Sequence, residues 1–386
     1  MNNHSFSNKN KPVICFVAHF AYGALAGGES GHIGGVEKQT SMMAKWFAKQ
    51  GYKVRMLTWD EGQEDDQVID GVKVIKMCRK DKGIKGLRFI WPRWASLNAA
   101  MKQADADIYY QNCGEYVTGQ VALWCKRHKR KFVYSVASDP DCDARLPQMH
   151  KIRERVLYKY GLKHADKIIV QTKKQQDMIR TGFGWDSFII PMPCDGISEK
   201  EYTELKKNRG DSNNVLWLGR VCEVKRPDRL LELAKLNPDV HFDFVGPQGD
   251  TQYSVNIIEQ AKQVPNVTYH GPAVKEQVWD FYKKAKIFLC TSNYEGFPNT
   301  FLEAWSCGLP VVSTVDPDNT ITQKKLGIIG QDVPRLSEEI RELLKSNVKW
   351  ETASNNAREY YVQNHAIGGI LPRFEQVFHE IVGDRI

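Results

Sequence analysis

Residues Ile287 to Thr314 read IFLCTSNYEGFPNTFLEAWSCGLPVVST. The first four, Ile287 to Cys290, form an uninterrupted apolar run, which is typical of a strand buried on both faces of a parallel sheet. Pro298 and Asn299 predict the start of a helix, and the Gly-Leu-Pro further on ends that helix before a second apolar run, Val311 to Thr314. The stretch therefore predicts a strand–loop–helix–strand unit of an open α/β sheet.

Two glutamates occupy prominent places in this unit: Glu295 in the loop and Glu303 within the helix. In an open α/β sheet, a loop that leaves the carboxyl end of a strand borders the ligand crevice, and a helix N-terminus beside it attracts anions. Carboxylates at these places can accept hydrogen bonds from sugar hydroxyls. Two glutamates at this spacing also occur by chance, and a glutamate on a helix surface is usually solvated.

The EGFPN segment that begins at Glu295, together with Glu303, resembles the hallmark of glycosyltransferase family 4 (glycosyl transferases group 1). Members carry two glutamates separated by seven residues, with EGFPN or a close variant after the first. Chain length and the alternation of strands and helices extend the resemblance over nearly the whole chain. It implies the α/β GT-B fold, in which two doubly wound Rossmann-like domains face a central cleft and a C-terminal helix crosses back to the first domain.

The resemblance also implies a retaining transfer of sugar from a nucleoside-diphosphate sugar, which is the donor substrate, with no further cofactor. By position in the motif, Glu303 would bind ribose hydroxyls and Glu295 donor-sugar hydroxyls. The residues that would present backbone groups to sugar and phosphate are Gly296, Phe297, Pro298 and Asn299.

Two basic residues, Arg220 and Lys225, lie at and after the end of the run NVLWLGR, which predicts the first strand of a second domain, ending at Arg220. They match the family positions that contact the pyrophosphate. Arginine offers a planar fork to phosphate oxygens and lysine a point charge, and both stabilise charge on a departing diphosphate. The family holds the nucleobase largely by backbone groups, here after Gly246 and near Val274, so side chains do not specify which base is bound.

The length of 386 residues exceeds the roughly 250–300 residues that one hydrophobic core usually spans, so two domains are expected. We predict an acceptor-binding domain over residues 1–196, a donor-binding domain over 197–368, and a terminal helix over 369–386 that packs back on the first domain. The polar segment EKEYTELKKNRGDSNN, from Glu199, has the composition of a linker.

The first half begins with a strand from Val13, followed by a loop over Ala21 to Gly35 that contains six glycines. The resemblance places Gly34 and Gly35 near the donor phosphates and the acceptor. The periodicity then predicts a helix over Val36 to Lys49. Further strands are predicted at Lys53 to Trp59, Val72 to Met77, Asp107 to Asn112, Phe132 to Ala137 and Lys167 to Thr172, which indicates a parallel sheet covered by helices.

One family feature is missing, because Ala137 stands where many members have a histidine that reaches the donor sugar. The sequence SDPDCD follows from Ser138, and Asp139 could bind acceptor or donor hydroxyls or could cap the turn after Pro140. A calcium loop is excluded because Ala144 and His150 replace the glycine and glutamate that it needs. A metal-binding Asp-x-Asp of the other glycosyltransferase fold does not suit this architecture, so no metal site is predicted.

Charge is uneven along the chain, with 31 Lys and Arg against 20 Asp and Glu over residues 1–196, and 23 against 26 over the remainder. A basic half could bind nucleic acid, but no nucleic-acid module is recognised. Basic and aromatic residues interleave over Lys82 to Trp94, which suits either an anionic membrane or a solvated surface. Nine scattered cysteines without a Cys-x-x-Cys pair favour a reducing cytoplasm. We expect a cytoplasmic protein at the inner face of the membrane.

Two alternatives remain open at this point. A nucleotide-sugar 2-epimerase would share the fold and the donor residues. A non-catalytic partner in a polysaccharide assembly complex would account for the missing histidine at Ala137.

Overall fold

The computed structural model describes residues 11–27, 34–209 and 213–383. The chain is divided into two compact units. Unit 1 comprises the chain up to Pro193 and from Ile370 onwards, and unit 2 is Cys194–Gly369.

Unit 1 alternates strands and helices. Within the described residues these are β1 (Ile14–Val17), α1 (Tyr22–Ala26), α2 (Gly35–Lys49), β2 (Val54–Thr58), β3 (Val68–Ile69), β4 (Val72–Lys76), a π-helical turn (Phe89–Trp94), α3 (Ala95–Ala104), β5 (Ile108–Asn112), α4 (Tyr116–His128), β6 (Lys131–Ser135), α5 (Asp139–Cys142), α6 (Ile152–His164), β7 (Lys167–Val170), α7 (Lys173–Phe183) and β8 (Phe188–Ile189).

The described strands of unit 1 form one sheet in the order β3-β4-β2-β1-β5-β6-β7-β8. All neighbours are parallel except β3 and β4. Strand β1 lies inside the sheet, with Ile14 paired to both Val54 and Ile108, and all four of its residues are buried. This confirms the prediction of a helix-covered, mainly parallel sheet, because a strand buried on both faces must be apolar throughout.

Unit 2 follows the same plan. Its described elements are α8 (Glu199–Asn208), β9 (Asn214–Leu218), α9 (Pro227–Leu236), β10 (His241–Val245), α10 (Gln252–Ala261), β11 (Val267–Gly271), α11 (Lys275–Lys284), β12 (Ile287–Cys290), α12 (Asn299–Ser306), β13 (Val311–Ser313), a 3-10 turn (Pro317–Asn319), α13 (Thr320–Lys324), β14 (Gly327–Ile329), α14 (Val333–Lys345), α15 (Asn347–Asn364) and α16 (Ile367–Val382), whose larger part belongs to unit 1.

The described strands of unit 2 form a parallel sheet in the order β11-β10-β9-β12-β13-β14. The predicted strand–loop–helix–strand unit is confirmed as β12, α12 and β13. Strand β12 is buried throughout and lies beside β9, which places the loops after both strands at the same edge of the sheet.

The terminal helix α16 packs on the sheet helices of unit 1. The Phe378 ring stacks on Phe47 with centroids 5.1 Å apart, and the Tyr52 hydroxyl donates a 2.6 Å hydrogen bond to Glu375. Apolar residues recur along this face of the helix, including Phe374, and are buried. This apolar face explains why the C-terminal residues form an amphipathic helix.

Three local predictions need correction. The segment from Glu199, predicted to be a linker, begins with helix α8. The Ser198 Oγ accepts a hydrogen bond from the Glu201 amide at 3.2 Å, the Glu201 carboxylate accepts one from the Ser198 amide at 2.9 Å, and Tyr202 is buried. This capping box and the buried tyrosine outweigh the polar composition. The loop after β1 contains α1, while its residues 28–33 lie outside the described part of the chain. Strand β9 ends at Leu218, two residues before Arg220.

Candidate active site

Two neighbouring loops in unit 2 carry the predicted donor-binding residues. The loop after β9 contains Arg220 and Lys225, and the loop after β12 contains Glu295. Because β9 and β12 pair in parallel, with Leu289 opposite Trp217, both loops leave the sheet at its carboxyl edge. This is the edge at which open α/β sheets bind their ligands.

The structure brings Lys225 and Glu295 into direct contact. The Lys225 Nζ donates to Glu295 Oε1 at 2.5 Å, and the Ser292 hydroxyl donates to the same oxygen at 2.6 Å. The Glu295 side chain retains 13% of its accessible surface and that of Lys225 retains 33%. The carboxylate is therefore fixed by two donors while the ammonium keeps a face open.

Buried hydrogen bonds tie the two loops together. The Trp217 indole donates to Thr291 Oγ1 at 2.8 Å, and the Thr291 hydroxyl donates to the Lys225 carbonyl at 2.8 Å. The Asn293 amide donates to the Val224 carbonyl at 2.9 Å. These bonds fix the backbone on both sides of the Lys225–Glu295 contact, which is the support that a binding site requires.

Arg220 lies at the same edge and is exposed. Within the part of the chain that the structure describes, no side-chain hydrogen bond or ion pair engages its guanidinium. The end of β10 approaches closely at this point, because a Cβ atom on Gly246 would lie 1.8 Å from the Gly219 carbonyl oxygen and the Gly246 φ is +145°. Only glycine fits there, so the loop expected to meet the nucleobase begins against the residue before Arg220.

Helix α12 carries the second glutamate of the motif. The Tyr282 hydroxyl donates a 2.8 Å hydrogen bond to Glu303 Oε2, and burial together with this carboxylate holds the pKa of Tyr282 well above its usual value. Pro298 is the N-cap of the eight-residue helix. Phe297 packs its ring 5.4 Å from that of His365, and Gly296 and Asn299 are partly buried beside it.

Val274 caps the N-terminus of α11 and is 42% exposed. Its amide donates to the Gln277 side chain at 3.2 Å. The structure thus places Val274 on the surface of unit 2, with its amide already bonded to the Gln277 side chain.

Gly34 and Gly35 line a cavity of about 690 Å3 within unit 1. Gly34 is the N-cap of α2, and its amide donates to the Glu37 carboxylate at 3.0 Å. The other polar side chains of the wall come from the ends of β1, β2 and β5 and from the helices that follow, including His19, Thr40, Asp60, Asn112 and Glu115.

Sequence reasoning missed a His–Glu pair in this cavity. The His19 Nδ1 lies 3.6 Å from Glu115 Oε1, and His19 Nε2 is buried without a hydrogen-bond partner. Burial and, secondarily, Arg93 lower the pKa of His19 to about 4. Burial and, secondarily, Asp141 raise the pKa of Glu115 to about 7, although its side chain is 37% exposed. His19 is therefore neutral at pH 7, and the pair is not a salt bridge. A polar residue two positions after a buried strand, His19 after Val17, was the available signal.

The aspartates of the SDPDCD segment go to different partners. Asp139 accepts hydrogen bonds from Lys174 at 2.6 Å and Gln175 at 3.2 Å. The capping role falls to Asp141, whose Oδ2 accepts from the amides of Ala137 at 3.0 Å and Ser138 at 3.2 Å. Burial raises the pKa of Asp141 to about 6. Asp143 pairs with Arg145 on the surface. Among the described residues, no group of three or more His, Cys, Asp or Glu side chains is arranged to hold a metal ion.

Comparison with known families assigns each half of the chain. Residues 34–191 match the family described as glycosyl transferase 4-like domain, and residues 198–360 match glycosyl transferases group 1. Together the two matches cover most of the chain.

Curated relatives match only in part. A D-inositol 3-phosphate glycosyltransferase of Paenarthrobacter aurescens is 26% identical over 39% of this chain and 41% of its own length. The GtfA subunit of a UDP-N-acetylglucosamine–peptide N-acetylglucosaminyltransferase of Streptococcus agalactiae is 25% identical over 46% of this chain and 36% of its own length. The matched region thus spans about two fifths of each relative.

Solved structures match along almost the whole chain. A sucrose-phosphate synthase from Thermosynechococcus elongatus superposes with a TM-score of 0.76 at 19% identity, covering 97% of this chain and all of that one. The Anabaena protein HepE in complex with UDP and glucose gives a TM-score of 0.70 at 17% identity, covering 94% and 98%. At these identities the likeness establishes the GT-B fold.

Proposed function

The chain belongs to the group 1 glycosyltransferases of the GT-B fold, and from this premise we propose that it transfers a sugar, with retention of configuration, from a nucleoside-diphosphate sugar to a hydroxyl of a saccharide or lipid-linked saccharide. The observation that carries the proposal is the cluster at the carboxyl edge of the unit 2 sheet, where Lys225 and Glu295 meet beside Arg220. A cell-surface polysaccharide is the product class that we infer.

The donor would be held by charge at one end and hydroxyl contacts at the other. Arg220, Lys225 and the free amides at the start of α12 would bind the pyrophosphate. Glu303 would accept hydrogen bonds from the ribose and Glu295 from the donor sugar. The fixed carboxylates supply acceptors that need no rearrangement of the backbone, since Ser292 and Tyr282 already orient them.

In the transfer step, the acceptor oxygen forms a bond to the anomeric carbon while the bond from that carbon to the phosphate oxygen breaks. The acceptor's proton passes to the departing phosphate on the same face, which gives retention. The growing charge on the diphosphate would be stabilised by Arg220 and Lys225 without a metal ion. The motif residues do not include a nucleophile and acid pair of the kind that a retaining hydrolase uses.

The acceptor would be bound by unit 1. Its cavity combines the backbone of Gly34 and Gly35 with side chains that can both donate and accept hydrogen bonds. Buried polar atoms lacking partners, such as His19 Nε2 and Asn112 Oδ1, favour a hydroxyl-bearing ligand that satisfies them. Asp139 is a further candidate for hydroxyl contacts at the rim, although it is paired with Lys174.

The first experiment is a thermal-shift screen against UDP-, GDP- and ADP-sugars. A UDP-sugar is the donor to test first, because UDP appears in the names of curated relatives and of structural neighbours, among them the two described above. Products are then analysed after incubation with candidate acceptors. Glycosyl transfer yields nucleoside diphosphate and an extended saccharide, and an unaltered donor would contradict the proposal.

Two other functions predict different products. A nucleotide-sugar 2-epimerase would change the sugar without needing an acceptor. A non-catalytic partner would bind the donor and leave it intact, which the alanine at position 137 makes worth testing.

Among the described residues, no helix is both long and apolar enough to cross a bilayer. We propose that the protein works at the cytoplasmic face of a membrane and docks there peripherally, since residues 1–196 carry the excess of positive charge.

A further inference from the structure

Unit 1 carries a group of exposed apolar side chains that the transfer reaction does not use. Four belong to the segment before α3 and two to the start of α6. We call these six residues the apolar patch: Ile84, Leu87, Ile90, Trp91, Ile152 and Val156, each between 61% and 80% exposed. The two parts meet where the Arg153 guanidinium lies over the Phe89 ring, 4.4 Å from its centroid.

The segment before α3 is held in place by buried contacts, while the side chains of the apolar patch remain exposed to solvent. Phe89 packs against Tyr116 with centroids 5.1 Å apart, and Pro92 is buried. The residues between them, Ile90 and Trp91, therefore project from a supported turn. Single exposed apolar residues are common on proteins, whereas a group of six marks an interaction site.

Positive charge surrounds the apolar patch. Residues 82–91 and 151–159 contain seven Lys and Arg and a single acidic residue, Glu154. That glutamate is occupied locally, because it accepts a 3.3 Å hydrogen bond from the Lys151 amide. Of these cations, Lys82 and Lys85 in the first segment and Arg155 and Lys159 in the second are exposed.

We propose that the apolar patch inserts into the interfacial region of an anionic lipid bilayer while the surrounding cations bind lipid phosphates. Insertion of apolar side chains combined with attraction of Lys and Arg to anionic lipid is the composition of a peripheral membrane surface, and tryptophan favours the headgroup level. A second copy of this chain is a poor occupant, because seven cations would face seven cations. Nucleic acid would neutralise the cations but would leave the aliphatic side chains in water.

This inference specifies the surface behind the membrane docking included in the proposed function. It is tested without donor or acceptor, so failure of vesicle binding and failure of glycosyl transfer are separate results. Binding is measured by co-sedimentation with vesicles of phosphatidylcholine alone or mixed with phosphatidylglycerol, at low and high salt. Quenching of tryptophan fluorescence by brominated lipid reports insertion, and the change on Trp91→Phe isolates this residue.

Three sets of variants distinguish the two contributions. The first set combines Leu87→Ser, Ile90→Ser and Trp91→Ser. It should reduce binding to anionic vesicles by roughly tenfold or more, and the binding that remains at high salt should fall as well. The second, Lys82→Glu with Lys85→Glu and Arg88→Glu, should remove the salt-sensitive part. The control, Val348→Ser with Val362→Ser, changes exposed apolar residues of unit 2 and should bind as the wild type does.

Thermal melting establishes whether each variant folds. If the triple variant does not fold, the single variant Trp91→Ala is used in its place. The proposal is overturned by wild-type binding in the first set, by equal binding to neutral vesicles, or by the absence of Trp91 quenching. If the wild type sediments without vesicles and the first set of variants does not, a second copy of the chain occupies the apolar patch. That result would also overturn the proposal.

Discussion

Lys225 Nζ lies 2.5 Å from Glu295 Oε1, although 70 positions separate the two residues in the chain. The residue expected to bind the pyrophosphate thus contacts the residue expected to bind the donor sugar. In the proposed site the Lys225 ammonium would bind the donor phosphate and the Glu295 carboxylate at the same time. The Glu295 carboxylate would remain oriented by the hydrogen bond from Ser292. The two roles are coupled, so a change at either residue affects both.

Removing either cation of the donor site should reduce kcat/KM by orders of magnitude. Arg220→Ala and Lys225→Ala each delete a charge-assisted contact of about 1.5–3 kcal/mol or more, which corresponds to roughly 10-fold to 100-fold in rate. Steady-state release of nucleoside diphosphate measures the effect. Lys262→Ala, which removes an exposed lysine paired with Glu259 on α10, is the control. Wild-type turnover in either site variant would refute its assignment.

The two glutamates should be distinguishable by their ligands. Glu303→Gln should weaken binding of both the nucleoside diphosphate and the nucleotide sugar, because the ribose is common to both. Glu295→Gln should weaken the nucleotide sugar by about tenfold and the diphosphate less, because its contact is to the sugar. Calorimetric titration with each ligand measures the difference. Equal losses for both ligands in both variants would contradict the division of roles.

The sequence predicted the β12–α12–β13 unit and its two glutamates because their signals are local: an apolar run, a helix start and a short motif. The Lys225–Glu295 contact was not predictable in the same way, since it depends on β9 and β12 being neighbours in the sheet. The His19–Glu115 pair has the same origin, because β1 lies beside β5. Helix α8 was missed for another reason, namely that composition was given more weight than the Ser198–Glu201 capping signal.

Replacing His19 should affect the acceptor side of the reaction alone. His19→Ala removes a buried ring from the unit 1 cavity, so the acceptor KM should rise by roughly tenfold while the dissociation constant of the donor stays unchanged. Lys102→Ala, an exposed lysine of α3, is the control. A variant that weakens donor binding and leaves acceptor KM unaltered would place the acceptor elsewhere.

The His19–Glu115 pair predicts two opposite dependences of the free energy of unfolding on pH. Burial raises the pKa of Glu115 from 4.5 to about 7, so its contribution to the free energy of unfolding is present below pH 4.5 and is lost as the pH rises through 7. The lowered pKa of His19, about 4 instead of 6.5, makes a contribution that is present above pH 6.5 and is lost as the pH falls through 4. Solvent screens part of the Glu115 effect, because the side chain is 37% exposed.

Denaturant unfolding of the wild type and of Glu115→Gln across pH 4 to 8 separates the two contributions. The variant should lose the Glu115 part of the decline between pH 4.5 and 7, keep the part due to Asp141, whose pKa is raised to about 6, and keep the decline on the acid side. Glu64→Gln, which changes an exposed carboxylate of unit 1, should follow the wild-type curve. Parallel curves for the wild type and Glu115→Gln would contradict the raised pKa.

Transfer should proceed without a divalent metal ion. The three carboxylates of the SDPDCD segment have separate partners, since Asp139 contacts Lys174, Asp141 contacts backbone amides and Asp143 contacts Arg145. Arg220 and Lys225 would supply the positive charge that a metal supplies elsewhere. Turnover measured in EDTA should therefore equal turnover in buffer alone. Loss of activity in EDTA, restored by manganese and abolished in Asp139→Asn, would instead make that aspartate a metal ligand and require a different account of the departing diphosphate.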